Sequence, residues 1–270
     1  MEMVQDEGKA ILQIPANQNV PFEVFRTGAR TRAVLATRPG ILHRLADRQE
    51  RVLLKLYKGD GSTAGSVQYQ DYHQRDFHRF APLTSNSHVQ QSLEAGVHPG
   101  VGPFALLQFV EGQELAVLLE ESSITANLAR QIIEDILLDI WIPLWAEGLR
   151  FKDCHPGNFV VTAQDRVVMI DTEQMRKDLD ERLHRPREWT QRDKHERAGL
   201  SRLPGLLQRI ILGASRGLSK AGVLRDVKSA LASTGLPDCL HQLGRGGARG
   251  TCVNGVSALV LQFRNMGLIA

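Results

Sequence analysis

A chain of 270 residues is long enough for one large domain or for two modest lobes around a shared cleft. The composition, 42% hydrophobic and 23% charged, is that of an ordinary globular protein, and no apolar run approaches the roughly 18 residues of a membrane-spanning helix. The net charge of +3 at pH 7 is mild. An arginine-rich second half suits phosphate-bearing ligands, but a solvated basic surface is the favoured interpretation. We expect no nucleic-acid partner.

The first residues and the cysteines indicate the compartment. Residues 1–7 start acidic and lack the basic-then-apolar pattern of a secretory signal. Cys154, Cys239 and Cys252 are too few and too scattered for a disulfide framework or a zinc site. They fit a reducing compartment, so a cytoplasmic location is predicted.

The first part of the chain is predicted to be rich in β-strands. Alternating or apolar runs predict strands over 22–25, 32–36, 51–57 and 104–110. Helices are predicted over 68–83, where Pro82 ends or bends the helix, and over 87–95.

The second part is predicted to be mostly helical. Apolar residues at helical spacing predict a helix over 124–149, with Thr125 as its N-cap and Pro143 as a local irregularity. Two short strands, 158–161 and 167–170, follow around a polar turn. Further helices are predicted to start near Trp189, Pro204 and Ser219, and the glycine-rich stretch 243–255 is predicted to be a loop.

The segment 151–172 carries the chemistry. Phosphoryl transfer from ATP needs a carboxylate beside the attacking hydroxyl and oxygen ligands that hold magnesium against the phosphates. Asp153 suits the first role, and Asn158 and Asp171 suit the second. A loop from Asp153 to Asn158, followed by a tight hairpin, returns Asp171 to the strand ends beside Asn158. The spacing therefore predicts that the three side chains gather around one cation.

This pattern resembles the catalytic and metal-binding signature of protein kinases and their relatives. Phe151-Lys152-Asp153 stands in place of HRD, the run to Asn158 looks like the DxHPGN form of aminoglycoside-type and other atypical small-molecule kinases, and Ile170-Asp171-Thr172-Glu173 replaces DFG. The resemblance implies an α+β, bilobal protein-kinase-like fold with a small β-rich N-lobe and a mostly helical C-lobe. The implied boundaries are 1–107 for the N-lobe, 108–113 for the hinge and 114–270 for the C-lobe.

The same resemblance assigns roles in the N-lobe. Lys55 lies on the strand where the kinase fold places its phosphate-binding lysine, whereas the competing Lys58 falls at the end of that strand. A lysine inside an apolar strand needs a partner. Glu94 is our choice of partner over Asp71 and Asp76.

The hinge residues Phe109, Val110 and Glu111 are expected to meet the adenine edge of ATP through backbone groups. One expected feature is weak, because 26–31 has a single glycine, Gly28, where a glycine-rich phosphate loop should precede the lysine strand.

Residues 151–200 are similar to the bacterial lipopolysaccharide core kinases, the heptose and Kdo kinase family. In that family a basic element and an arginine- and lysine-rich stretch follow the metal aspartate, as 176–177 and 185–194 do here. The similarity implies ATP and Mg²⁺ as cofactors and a phosphate-bearing sugar or lipid-linked acceptor, met peripherally at the cytoplasmic face of the inner membrane. The stretch 202–211 either touches that membrane or forms a helix of the C-lobe core with its arginines outward, and the second interpretation is favoured.

Two other functions stay open. A bacterial serine/threonine protein kinase would use the same three residues, although no Ala-Pro-Glu-like anchor follows Asp171. A nucleotide-binding pseudokinase scaffold is the second alternative. The intact Asp153, Asn158 and Asp171 set stands against it.

Overall fold

A computed structural model describes residues 3–6, 9–14, 18–26, 31–37, 43–45, 48–57, 86–98, 102–151, 153–172, 175–177, 186–215, 217–243 and 247–270. The chain divides into two compact units, one formed by Met1–Ser85 with Gln90–Phe109 and the other by Asn86–Val89 with Val110–Ala270. The division at Phe109 and Val110 lies inside the predicted hinge 108–113. The lobe boundaries 1–107 and 114–270 stay a prediction.

The first unit is built on an antiparallel seven-stranded sheet. Its strands, with a separate β5–β6 hairpin, are β1 (Met3–Asp6), β2 (Lys9–Ile14), β3 (Gln18–Arg26), β4 (Thr31–Thr37), β5 (His43–Leu45), β6 (Arg48–Glu50), β7 (Val52–Tyr57), β8 (Ser92–His98) and β9 (Gly102–Gln108). The order across the sheet is β1-β2-β3-β4-β7-β9-β8. The strands predicted from the sequence are confirmed within β3, β4, β7 and β9.

The predicted helix over 87–95 is wrong. Residues 92–98 form β8, which pairs along its length with β9. Glutamine, leucine, glutamate and alanine in this stretch favour a helix intrinsically, but pairing with a sheet neighbour overrides so weak a preference. The predicted helix over 68–83 lies outside the described residues.

The second unit is a helical body with short strands, so the chain as a whole is a mixed α+β protein. Its helices are α1 (Leu115–Glu120), α2 (Ala126–Glu134), α3 (Ile142–Ala146), α4 (Pro186–Ala214), α5 (Lys220–Thr234), α6 (Leu236–Leu243) and α7 (Arg249–Asn265), with a π-helical segment (Asp135–Trp141) between α2 and α3. Its strands are β10 (Gln113–Glu114), β11 (Leu149–Phe151), β12 (Phe159–Val161), β13 (Val167–Met169) and β14 (Met175–Lys177). They form the sheets β10-β12-β13 and β11-β14.

The predicted helix over 124–149 is present but interrupted. Thr125 caps it as predicted, because its hydroxyl accepts a hydrogen bond from the Leu128 amide at 3.1 Å. The α-helix then changes to the π-helical segment just before Pro143. Proline has no amide hydrogen, so it cannot donate an α-helical hydrogen bond. The last residues, 149–151, leave the helix as β11.

The long helix α4 runs through Pro204, so the predicted helix start at this residue is wrong. Leu203, Leu206 and Leu207 are at most 2% exposed, and this apolar packing holds the helix through the proline. Of the two interpretations of 202–211, the structure supports a core helix, because its apolar side chains face the interior. The helix start at Ser219 is confirmed, since its hydroxyl caps α5 through the Gly222 amide at 3.4 Å.

The glycine-rich stretch also differs from its prediction, because residues from 249 onward form α7 rather than a loop. Gly255 lies where α7 meets α6, and a β-carbon there would touch the side chain and backbone of Leu236 at 3.5–3.6 Å. A small residue therefore suits the close packing of the two helices. No described helix is long and apolar enough to cross a bilayer.

Cys239 and Cys252 form a disulfide that joins α6 to α7. The sequence predicted no disulfide framework, and it did not indicate this single pair. Helices that pack side by side bring the two residues together, and sequence spacing does not reveal that contact. A disulfide is uncommon in a reducing compartment, so the cysteines no longer favour a cytoplasmic location.

One stability prediction arises at the start of the π segment. Burial raises the pKa of the Asp135 carboxyl above its ordinary value, although its Oδ2 accepts a hydrogen bond from the Val167 amide at 2.9 Å. The folded protein therefore holds this proton to higher pH than the unfolded chain does, and stability falls as pH rises through the raised pKa. Asp135→Asn keeps an oxygen acceptor and removes the charge, so we expect a higher Tm than wild type near pH 7.

The measurement is thermal unfolding of both proteins from pH 4 to pH 8. The gain from Asp135→Asn should shrink toward pH 4, where the wild-type carboxyl becomes protonated. A lower Tm for the variant at pH 7 would show that the charged hydrogen bond to Val167 outweighs the cost of burial. Asp165→Asn, at an exposed position in the turn between β12 and β13, serves as the control.

Candidate functional site

The loop after β11 is closed by hydrogen bonds to one backbone carbonyl. The carbonyl oxygen of Asp153 accepts from the His155 amide at 3.0 Å and from Nδ2 of Asn158 at 2.8 Å. Pro156 then starts a single 3₁₀ turn that ends at Asn158. The position of the Asp153 backbone is thus fixed by residues two and five places further on.

Asn158 has a divided role in this arrangement. The side chain is 4% exposed, and its amide nitrogen is committed to the Asp153 carbonyl. Because the nitrogen points to the loop, the side-chain oxygen is the atom left to act as a ligand. A hard oxygen donor of this kind is what Mg²⁺ prefers.

The β12–β13 hairpin returns Asp171 to the same end of the sheet as Asn158. Phe159 pairs with Met169 in the hairpin register, and the Ile170 amide donates to the Asn158 carbonyl at 2.8 Å. Asp171 follows with a φ of 59°, a left-handed conformation that non-glycine residues adopt rarely and that clusters at functional sites. The hairpin therefore returns Asp171 to the end of the sheet beside Asn158. The gathering of the three side chains around one cation stays a prediction.

Within the part of the chain that the structure describes, the basic side chains of Arg202 and His155 approach the Asp153 carboxylate. Nη1 of Arg202, on α4, lies 2.8 Å from Oδ1, and Nε2 of His155 lies 3.6 Å from Oδ2. His155 also accepts the Gly157 amide hydrogen at Nδ1, over 3.1 Å, so the neutral imidazole carries its proton on Nε2, facing the carboxylate. Neither residue was predicted as part of the site.

Cys154 lies between Asp153 and His155 but is not suited to nucleophilic chemistry. Its side chain is buried, and burial raises the pKa of the Cys154 thiol well above its ordinary value, against the opposing effect of the Arg202 charge. The thiol is therefore protonated at neutral pH, whereas the nucleophilic form is the thiolate.

In the first unit, Lys55 lies in the middle of a central strand. It is in register with Val34 on β4 and with Ala105 on β9, and it is 4% exposed. Leu53 and Ala105 form an apolar cluster with Leu107, against which Phe109 packs. Since directly paired and alternate strand residues share a face, Lys55 stands on the same face of the sheet as this cluster.

Glu94 lies on the edge strand β8 rather than on a helix. The register pairs Glu94 with Leu106, which pairs in turn with Leu54, whereas Lys55 pairs with Ala105. In this register Glu94 is aligned with Leu54, the residue before Lys55. The predicted Lys55–Glu94 pair stays a prediction.

The predicted hinge residues occupy the division between the two units. The Phe109 amide donates to the Arg51 carbonyl at 2.9 Å, and the Arg51 guanidinium carbon lies 3.9 Å from the centre of the Phe109 ring. The Phe109 amide is thus already hydrogen-bonded within the protein. Val110 and Glu111 follow as irregular backbone before β10.

The oxygen-bearing side chains of Asn158 and Asp171 are of a kind that fits a magnesium ion. Within the described ranges, no three histidine, cysteine, aspartate or glutamate side chains gather as a self-sufficient metal site. Mg²⁺ is commonly held by one or two protein oxygens together with substrate phosphates and water. Asn158 and Asp171 supply two such oxygen-bearing side chains at the end of one hairpin.

Sequence reasoning missed Arg202 as a member of the site. It lies 49 residues after Asp153, in a stretch that was interpreted only as a membrane contact or a core helix. No local spacing rule links a helix residue to a loop so far away. The only available signal was an arginine beside a run of apolar residues at helical spacing.

No protein-family model matches the chain, and no curated protein is significantly similar to it. The resemblance to kinases therefore depends on the motif of 151–172 and on the local geometry described above.

Proposed function

We propose that this protein is an ATP- and magnesium-dependent kinase that transfers the γ-phosphoryl group to a hydroxyl. The observation that carries the proposal is the set of hydrogen bonds by which Asn158 connects the Asp153 loop to the end of the β12–β13 hairpin. Asn158 holds the Asp153 backbone through its side chain and holds Ile170, next to Asp171, through its backbone. Asp153 and Asp171, which are 18 positions apart, are thereby connected to one end of the hairpin. A chance cluster of turn-forming residues does not explain this connection.

Each side chain has a role in the proposed reaction. Asp153 orients the acceptor hydroxyl and accepts its proton as the hydroxyl oxygen bonds to the γ-phosphorus. The bond from the γ-phosphorus to the bridging oxygen breaks, and ADP leaves with the electron pair. Asn158 and Asp171 would hold the magnesium ion, which when bound neutralises charge on the β- and γ-phosphates.

In the first unit, Lys55 is proposed to bind a phosphate of ATP, and the apolar face around Leu53, Ala105 and Leu107 to receive the adenine ring. An apolar cluster on the same face of the sheet as a buried cation suits a ligand that has an aromatic base at one end and anionic phosphates at the other. Phe109, Val110 and Glu111 are proposed to bind the adenine edge. The bilobal protein-kinase-like architecture is part of this proposal.

Lys55→Met provides a test of the nucleotide site. A charge-assisted hydrogen bond to phosphate contributes about 1.5–3 kcal/mol, so the Kd for ATP should rise about 10- to 100-fold. The Tm of the variant is measured alongside, because Lys55 is 4% exposed and removal of a buried charge leaves its partner uncompensated. Binding is measured by calorimetry with Mg·ATP, and Lys228→Met, at an exposed position of α5, is the control.

An unchanged Kd in Lys55→Met with an unchanged fold would remove Lys55 from the phosphate site. Lys58→Met is then the next variant to measure, since this lysine was the competing choice.

The acceptor is proposed to be a sugar of the lipopolysaccharide core, with contact at the cytoplasmic face of the inner membrane. Support comes from the similarity of 151–200 to the heptose and Kdo kinase family. The apolar residues of 202–211 lend no support to membrane contact, since Leu206 and Ile210 are at most 2% exposed. A cytoplasmic location is likewise part of the proposal, and the disulfide does not favour it.

Incubation of the purified protein with Mg²⁺ and γ-labelled ATP separates the candidate functions. Label on core oligosaccharide supports the proposed acceptor, and label on protein supports the serine/threonine kinase alternative. Binding of ATP with neither transfer nor hydrolysis would contradict the enzyme proposal and favour the pseudokinase scaffold.

A further inference from the structure

A side chain from α4, outside the predicted motif, makes a close contact with the Asp153 carboxylate. Nη1 of Arg202 lies 2.8 Å from Oδ1, within the range of a charge-assisted hydrogen bond. Nε2 of His155 lies 3.6 Å from Oδ2, which is beyond a normal hydrogen bond. Of these two side chains, Arg202 makes the closer contact with the carboxylate.

Arg202 and Asp153 both lie on backbone segments that are held in place by packing or hydrogen bonds. The next residue of α4, Leu203, is 1% exposed, and Leu206 and Leu207 continue the same buried packing. On the other side, two hydrogen bonds to the Asp153 carbonyl fix the loop. An exposed ion pair between mobile side chains contributes little, but a pair between two anchored elements fixes the direction of the carboxylate.

The side-chain exposure of the pair also suits a role in a working site. Arg202 is 50% exposed and Asp153 is 25% exposed, so the contact lies at the surface of the unit rather than in its interior. A pair that served only stability would gain little at such exposure.

We propose that Arg202 is a positioning residue for Asp153, fixing Oδ1 so that the carboxylate faces the acceptor hydroxyl when it takes the proton. This inference rests on the proposed kinase function. Arg202 acts through Asp153 and need not touch ATP or the acceptor.

The probe is hydrolysis of Mg·ATP, with water in place of the acceptor. Arg202→Gln should lower kcat by about 10- to 100-fold while the KM for ATP stays within about twofold, because the variant disturbs the base and not the nucleotide site. Arg202→Lys should keep part of the rate, since the positive charge remains but the planar guanidinium group is lost. Guanidinium ion added to Arg202→Ala should restore part of kcat.

Arg209→Gln is the matched control. Arg209 is also exposed, and seven residues further along α4 it falls on nearly the same side of the helix. Its kcat and Tm should equal those of wild type.

A double-mutant cycle separates positioning from other roles. In the Asp153→Asn background, Arg202→Gln should have no further effect, because the group on which it acts is already lost. Additive losses would overturn the inference and assign Arg202 to direct phosphate binding. A kcat for Arg202→Gln equal to or above wild type, or a loss that follows a lower Tm without guanidinium rescue, would also overturn it.

The two proposals fail in different ways. An active wild type with an unaffected Arg202→Gln variant overturns the inference alone. A folded wild type that neither hydrolyses nor transfers phosphate from Mg·ATP overturns the proposed function, and the inference with it.

Discussion

Asp171→Asn is expected to lower the rate of phosphotransfer by about 100-fold or more. The rate is measured at saturating ATP and about 5–10 mM Mg²⁺. The carboxylate is the charged protein ligand in the proposed magnesium site, and a neutral amide binds Mg²⁺ much more weakly. The fold should be unaffected. Asparagine, like aspartate, tolerates the left-handed backbone at this position, where φ is 59°.

The chain supplies a closely matched control for this variant. Asp165 lies in the turn between β12 and β13, is exposed, and has a φ of 57°. Asp165→Asn makes the same chemical change in the same backbone conformation, so its activity should equal that of wild type. Equal losses in both variants would show that the hairpin, and not a magnesium ligand, had been disturbed.

Asp153→Asn is expected to lower kcat by about 100- to 10,000-fold while ATP still binds. The amide cannot accept the proton of the acceptor hydroxyl, whereas the nucleotide contacts proposed for Lys55 and Asp171 remain. The loop should keep its shape, because Asn158 and His155 bond to the backbone carbonyl of residue 153 and not to its side chain. Single-turnover transfer of labelled phosphate and calorimetric binding of Mg·ATP measure the two effects separately.

Asp226→Asn is the control, since Asp226 is also an aspartate next to an arginine, Arg225, at 3.3 Å on α5. It should leave both transfer and binding unchanged. A kcat for Asp153→Asn close to that of wild type would remove Asp153 from the role of base, whatever the fate of the other assignments.

The parts of the site that the sequence predicted are those built from local contacts. Asp153 and Asn158 share one short loop, and a hairpin of fixed register returns the chain to Asp171, so spacing alone determines which backbones meet. Arg202 reaches the same loop from a helix. Its position depends on how α4 packs, which no spacing along the chain encodes.

The fold shows the same division. Runs with strand or helix periodicity, such as those within β7 and α2, were predicted because each carries its own pattern. Residues 92–98 were predicted as helix because their composition favours one, yet the neighbouring strand β9 determines their conformation. In α7, the glycines suggested a loop, but the residues form a helix that packs against α6. The disulfide between these helices joins two cysteines whose contact depends on that packing and not on their spacing along the chain.

The most direct test of the account is a crystal structure of the protein with Mn²⁺ and a non-hydrolysable ATP analogue, with the metal located by its anomalous signal. We expect one manganese site bound by the side-chain oxygens of Asn158 and Asp171 and by phosphate oxygens of the nucleotide. The Asp153 carboxylate should face the γ-phosphate with Arg202 still at its Oδ1. A nucleotide bound elsewhere, or an Asp171 side chain turned away from the metal at full occupancy, would contradict the proposal that this protein is a kinase.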